Sequence, residues 1–166
     1  MTWRSATTRC LSVAAVVLAG LATPSTASVA SGDGVRHINY DLSRQLTGGR
    51  APCDPTTPGR CVGTFENVIT YTGDVTGTSY AVGSAALAPD GIYRATAIEQ
   101  FSGTITGCGT GTVIIQQIGT LDPATGRSDG SWTIVAGAGS GDLAETTGSS
   151  TGRGADTQGE AWIRCG

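Results

Sequence analysis

The chain reads as a small antiparallel, up-and-down β-barrel of six to eight strands. Apolar runs of strand length recur from residue 62 to the C-terminus, cut at short intervals by Gly, Pro and Asp turn residues. No stretch carries the periodicity of a long amphipathic helix. The densest part, residues 101–148, alternates β-runs with glycine: Phe101-Ser-Gly103-Thr-Ile105, Val113-Ile-Ile-Gln-Gln-Ile118, Gly130-Ser-Trp132-Thr-Ile-Val135. Sequential strands with tight turns and glycine bends fit a closed barrel better than a Greek-key sandwich, and closure removes exposed sheet edges. Such a barrel encloses a narrow interior, filled by side chains or holding one small ligand.

Residues 1–30 read as a secretory signal. Arg4 and Arg9 give a positive start, residues 11–21 form an apolar run, and Ser28-Val29-Ala30 is a small-x-small cleavage site, with Ser25-Thr26-Ala27 as a second candidate. The run is well short of the ~20 residues that span a bilayer. Cys10 precedes the run rather than following it, so lipid attachment there is not expected. The mature protein is expected to be secreted and extracellular, without membrane contact after cleavage.

Residues 31–60 read as an N-terminal tail and a Pro/Gly-rich loop, and residues 61–166 as the barrel domain. Within the tail, residues 35–46 are ambiguous. Ile38 and Tyr40 alternate with polar residues as in a strand, whereas Leu42 and Leu46 are four apart as in a helix. Residues 47–60 are rich in Gly and Pro and read as loop.

The sustained β-pattern begins at residue 62. Residues 62–72 form a strand with Phe65, Ile69 and Tyr71 on one face, and Gly73-Asp74 is a turn or bulge. Residues 75–87 are the next extended stretch, bent at Gly77 or Gly83, before the turn signal Pro89-Asp90-Gly91. Residues 92–101 form a strand, 103–111 a glycine-rich link, and 112–121 a strand closed by the turn at Asp122-Pro123. Residues 131–135 form a strand around Trp132. Residues 137–154 read as mostly irregular with Leu143 as apolar anchor, and 158–165 as a last strand with Trp162 and Arg164 on one face.

Removing residues 1–30 takes two of the ten arginines and none of the 13 acidic residues; with no lysine present, the net charge becomes −5. An acidic chain without a basic run is a poor binder of nucleic acid and of anionic membranes. Four cysteines remain: Cys53, Cys61, Cys108 and Cys165. An even number in an exported chain reads as disulfides. Cys53 and Cys61 flank a turn-forming loop, which favours that local bridge and leaves Cys108 for Cys165. The rival pairs Cys61 with Cys165, tying the first long strand to the last. No C-x-x-C pair supports a zinc site, and no metal or cofactor is expected.

Motifs for known chemistries are sparse. Gly137-Ala-Gly139-Ser-Gly141 superficially resembles a phosphate-cradling loop, but no helix follows it, so a bend at a barrel corner is the better reading. The only histidine is His37, in the ambiguous N-terminal segment, and there is no lysine to replace it as a base, which leaves a serine hydrolase without support. Glu99 is the most informative candidate. It lies on the alternation Tyr93, Ala95, Ala97, Glu99, Phe101; with that face inward it is a carboxyl in an apolar cavity, a candidate general acid or ligand anchor. The plainer reading is a solvated or arginine-paired glutamate. Gln116 and Gln117 are adjacent, so one faces inward if the strand is regular. Glu66, Tyr71, Tyr80 and Trp132 are further lining candidates, or else ordinary packing residues.

The run Tyr71-Thr-Gly73-Asp74-Val-Thr-Gly77-Thr, with Glu99-Gln-Phe101-Ser-Gly103, Gly130-Ser-Trp132 and Gly137-Ala-Gly139-Ser-Gly141-Asp142-Leu143, resembles a family of small secreted bacterial proteins of unknown function. Their fold is similar to the allene oxide cyclase barrel. The resemblance covers roughly residues 62–154 and implies about eight strands around a cavity. Related barrels cyclise unsaturated substrates largely by folding them in an apolar interior, but no catalytic motif transfers to positions here. The cysteines are not a general feature of that family. Two functions are therefore expected: binding of a small apolar molecule in the barrel, or a cyclase or isomerase acting by confinement with Glu99 or an inward glutamine as polar partner.

Overall fold

The computed structural model describes residues 34–50, 61–152 and 158–166. The strands are β1 (Val35–Arg50), β2 (Cys61–Gly73), β3 (Val75–Leu87), β4 (Tyr93–Ile105), β5 (Gly109–Leu121), β6 (Ser128–Ile134), β7 (Ser140–Gly141), β8 (Thr147–Gly152) and β9 (Gln158–Arg164). They pair in the order β4-β3-β2-β1-β9-β8-β6-β5, and β5 pairs back onto β4. Eight antiparallel strands thus close a barrel, with β7 as a short extra strand on β5. The signal segment and the Cys53–Cys61 pairing fall outside the described residues.

Three stretches differ from the sequence reading. Residues 147–152, in the segment read as mostly irregular, form β8, paired with β6 and β9 in the barrel. β1 is a barrel strand, so the barrel begins at Val35 rather than at residue 61, and strand structure continues through residues 47–50. The β1–β2 register slips between Leu46 and Gly48, a bulge that lets the glycine-rich end of β1 stay paired with Glu66 and Phe65. Similarly, residues 103–111 are not a link. β4 runs to Ile105, β5 starts at Gly109, and only residues 106–108 turn between them. Gly103 and Gly111 sit opposite each other in the ladder. A Cβ at Gly103 would collide with the Thr76 carbonyl, and one at Gly111 with the Ser140 carbonyl. Glycine there marks close backbone approach inside paired strands.

The burial alternation of β4 and β5 sorts their side chains into two sets. Ala97, Glu99, Phe101 and Ile105 of β4 and Val113 and Ile115 of β5 are buried, whereas Ile98 and Gln100 are exposed. One half of the barrel is packed solid: Ile38, Val75, Phe101, Ile105, Val113, Ile115, Ile134 and Ile163 form its core. Leu143, fully buried, joins that core from the segment between β7 and β8. A disulfide between Cys108 and Cys165 joins the β4–β5 turn to the C-terminus at this closed end, with Cα atoms 5.1 Å apart. Since Cys165 bonds Cys108, the alternative Cys61–Cys165 bridge is excluded.

Candidate functional site

The opposite half of the barrel is open. A cavity of about 1080 Å³ occupies it, against a void of only about 30 Å³ in the packed half. The difference follows from side-chain size. Inward positions here include Ala95 and Ala97 on β4, Gly119 on β5, Gly130 on β6, Ser150 on β8 and Gly159 on β9. Residues this small leave the centre of an eight-stranded barrel unfilled.

A layer of polar and aromatic side chains separates the two halves. Tyr40, Tyr71 and Trp132 touch both the open cavity and the packed core. Trp132 donates its Nε1 proton to Tyr40 Oη at 3.1 Å. The Tyr40 and Tyr71 rings meet edge-on with centroids 5.6 Å apart, and Tyr71 meets Phe101 in the same manner. Tyr71 donates its hydroxyl proton to Glu99 Oε1 at 2.7 Å, and Gln117 Nε2 donates to Glu99 Oε2. Gln117 in turn lies opposite Trp132 in the β5–β6 ladder, so the layer runs most of the way round the barrel.

Glu99 is completely buried, and both of its carboxyl oxygens accept hydrogen bonds. It forms no ion pair among the described residues; its partners are two neutral donors. Burial pushes the Tyr71 phenol well above the ordinary tyrosine range, the neighbouring Glu99 carboxylate and its hydrogen bond push it further, and Arg44 opposes them. Tyr71 is therefore a fixed proton donor across the range of pH in which proteins fold.

The sequence-predicted residues divide. Glu99, Gln117, Tyr71 and Trp132 meet in this layer. Gln116 and Tyr80 do not; both are exposed. Tyr80 donates to Glu66 Oε2 at 2.7 Å, a pair that raises the pKa of this exposed phenol. Gln116 faces outward because its neighbour Gln117 takes the inward position of the alternation. Sequence reasoning missed Tyr40, Arg44, Asn67 and Ser150, all of which line the cavity. The alternation of Ile38 and Tyr40 was a usable signal for the first. The described residues contain no group of three or more His, Cys, Asp or Glu placed to hold a metal ion.

The fold is similar to a crystal structure at 1.84 Å of a DUF3224-family protein of unknown function from Shewanella oneidensis MR-1. The TM-score is 0.59 with 20% sequence identity, over 80% of this chain and 96% of that one. At that identity the likeness establishes the fold alone. No curated protein matches the sequence. The model of the family described as "Protein of unknown function (DUF3224)" matches residues 50–162, and the chain belongs to that family.

Proposed function

We propose that the protein is an exported binding protein that holds a small, mostly apolar molecule in the open half of its barrel. The observation that carries this reading is the contrast between the two halves. Where the chain needs only stability, it packs Ile, Val, Leu and Phe to a void of about 30 Å³. In the other half it keeps Ala, Gly and Ser at inward positions and leaves about 1080 Å³, at the upper end of the range for small-molecule pockets. Unfilled interior forfeits packing energy, so a cavity this large is a cost that ligand binding would offset. Export is supported by the charged start and apolar run of residues 1–30 and by the Cys108–Cys165 bridge.

A cyclase or isomerase acting by confinement is the second reading, in keeping with the resemblance to allene oxide cyclase barrels. The Tyr71–Glu99 hydrogen bond in the cavity floor favours it. Binding stands first because Glu99 is wholly buried with both oxygens engaged, which leaves it no free atom for acid–base work.

Native mass spectrometry of the protein recovered from culture medium tests both parts. The expected result is a chain starting near Ser31 with an added mass that is released on unfolding. A full-length chain retained in cells overturns export. A ligand-free chain that also takes up no added apolar compound overturns binding.

A further inference from the structure

We propose that the cavity selects neutral molecules whose buried end is a hydroxyl group, and discriminates against carboxylates and organic cations. This rests on the binding reading above and narrows it to a ligand class.

The hydrogen-bond directions in the cavity floor define what a ligand meets. Tyr40 Oη already accepts from Trp132 Nε1, so what it has left to offer is its own proton, which has no acceptor among the described residues. Gln117 spends Nε2 on Glu99 and leaves its Oε1 carbonyl without a donor among them. Tyr71 spends its proton on Glu99 and leaves lone pairs on Oη. The floor therefore presents one donor and two acceptors, all neutral. A hydroxyl group is both donor and acceptor and can complement both kinds. A ketone or ether can take the Tyr40 proton but leaves the acceptors unmet.

Charge argues the same way. A carboxylate pushed to the floor would sit over the buried carboxylate of Glu99, repelled in a poorly screened interior. A carboxylate also has no proton to give to Gln117 Oε1 or Tyr71 Oη, so both acceptors of the floor would stay unmet. A cation fares no better. It would lose its water while both Glu99 oxygens are already occupied and shielded by Tyr71 and Gln117, so at the floor it would have no direct contact with that carboxylate to offset the loss. Above the floor, the small side chains of Ala95, Ala97, Gly119 and Gly130, with Leu42 and Ile69, accommodate an apolar body.

The test is ligand titration by fluorescence of Trp132, in the secreted protein carrying Trp162→Phe so that the floor indole is the reporter. Four probes of one size are compared at neutral pH: 1-octanol, 2-octanone, octanoate and octylammonium. The expected result is saturable binding of octanol, with a Kd roughly tenfold or more below those of the other three, as one mismatched polar contact costs. Octanoate or octylammonium binding as tightly as octanol overturns the charge selection and leaves the binding reading intact. Octanone binding as tightly as octanol overturns the hydroxyl match in the same way, because the two are equally neutral. If none of the four saturates the signal, the binding reading itself fails.

Discussion

Tyr71 on β2 reaches across β3 to donate its hydroxyl proton to Glu99 Oε1 on β4 at 2.7 Å. Two strands that are not paired with each other meet this way because β3 turns Gly77, Ser79 and Ala81 inward between them. Gly77 lies opposite Tyr71, and Ala81 lies opposite Glu99. The small residues of β3 are thus part of the site although they make no polar contact in it. They supply the gap through which a tyrosine and a glutamate find each other.

Removing the acceptor should expose how much that gap depends on it. Glu99→Ala leaves the Tyr71 hydroxyl and the Gln117 amide without their acceptor and opens a hole beside Phe101. The expected loss is about 2–4 kcal/mol of unfolding free energy, read as a lower urea midpoint. Glu99→Gln keeps the volume and one acceptor oxygen, and should cost about 1 kcal/mol. Equal midpoints for Glu99→Ala and the parent chain would mean that the layer contributes nothing to stability. Under the catalytic reading, Glu99→Gln should also cut turnover, and unchanged turnover would remove Glu99 from that mechanism.

Tyr71 sets an alkaline limit. Its folded pKa is raised by burial first and by Glu99 second, so the folded state holds this proton more tightly than the unfolded chain does. A raised pKa gives stability that is fully present below the unfolded value of about 10 and is lost as pH rises above it. The slope expected there is about −1.4 kcal/mol per pH unit. Urea midpoints measured from pH 8 to 11 should fall above pH ~10, and Tyr71→Phe should flatten that fall. In a spectrophotometric titration the Tyr71 phenol should ionise only as the barrel opens.

The Cys108–Cys165 bridge acts at the end away from the cavity. It joins residues 57 apart in sequence, across the turn that follows β4 and the residue that follows β9. Replacing both by serine should lower stability by about 2–4 kcal/mol. Ligand uptake by the folded fraction should be unchanged, because the cavity opens at the other end. A lost ligand with an intact fold would show instead that the two ends are coupled.

What could be read from the sequence depended on whether a residue sat in a clean alternation. The β4 alternation Tyr93, Ala95, Ala97, Glu99, Phe101 put Glu99 on the more aromatic face, but Ile92 and Ile98 on the other face left open which of the two points inward. The β-pattern with turns at Pro89-Asp90-Gly91 and Asp122-Pro123 pointed to the closed antiparallel barrel. Gly103 and Gly111 misled, because glycine signals a loop in sequence, whereas here it marks strands that pass too close for a Cβ. Gln116 and Gln117 could not be separated by composition; one step of register decides which faces in. Tyr40 was lost with β1, whose few apolar residues fit a strand and a helix equally. Its Trp132 partner lies 92 residues away in the chain, and no local pattern carries a contact of that range.

Filling the cavity is the most direct check on its purpose. Ala95 lines the open half and is part-buried, with space rather than side chains in front of it. Ala95→Phe would add a ring to that space without disturbing the packed core on the other side of the Tyr40–Tyr71–Trp132 layer. If the open half exists to hold a ligand, the variant should fold with a urea midpoint equal to or above that of the parent, because the ring buries apolar surface in an existing void. It should also lose the bound mass and the Trp132 response to octanol. Retained binding would place the ligand elsewhere. A large loss of stability, beyond the 1–3 kcal/mol that overpacking costs, would mean that the space is filled by structure rather than left for a guest.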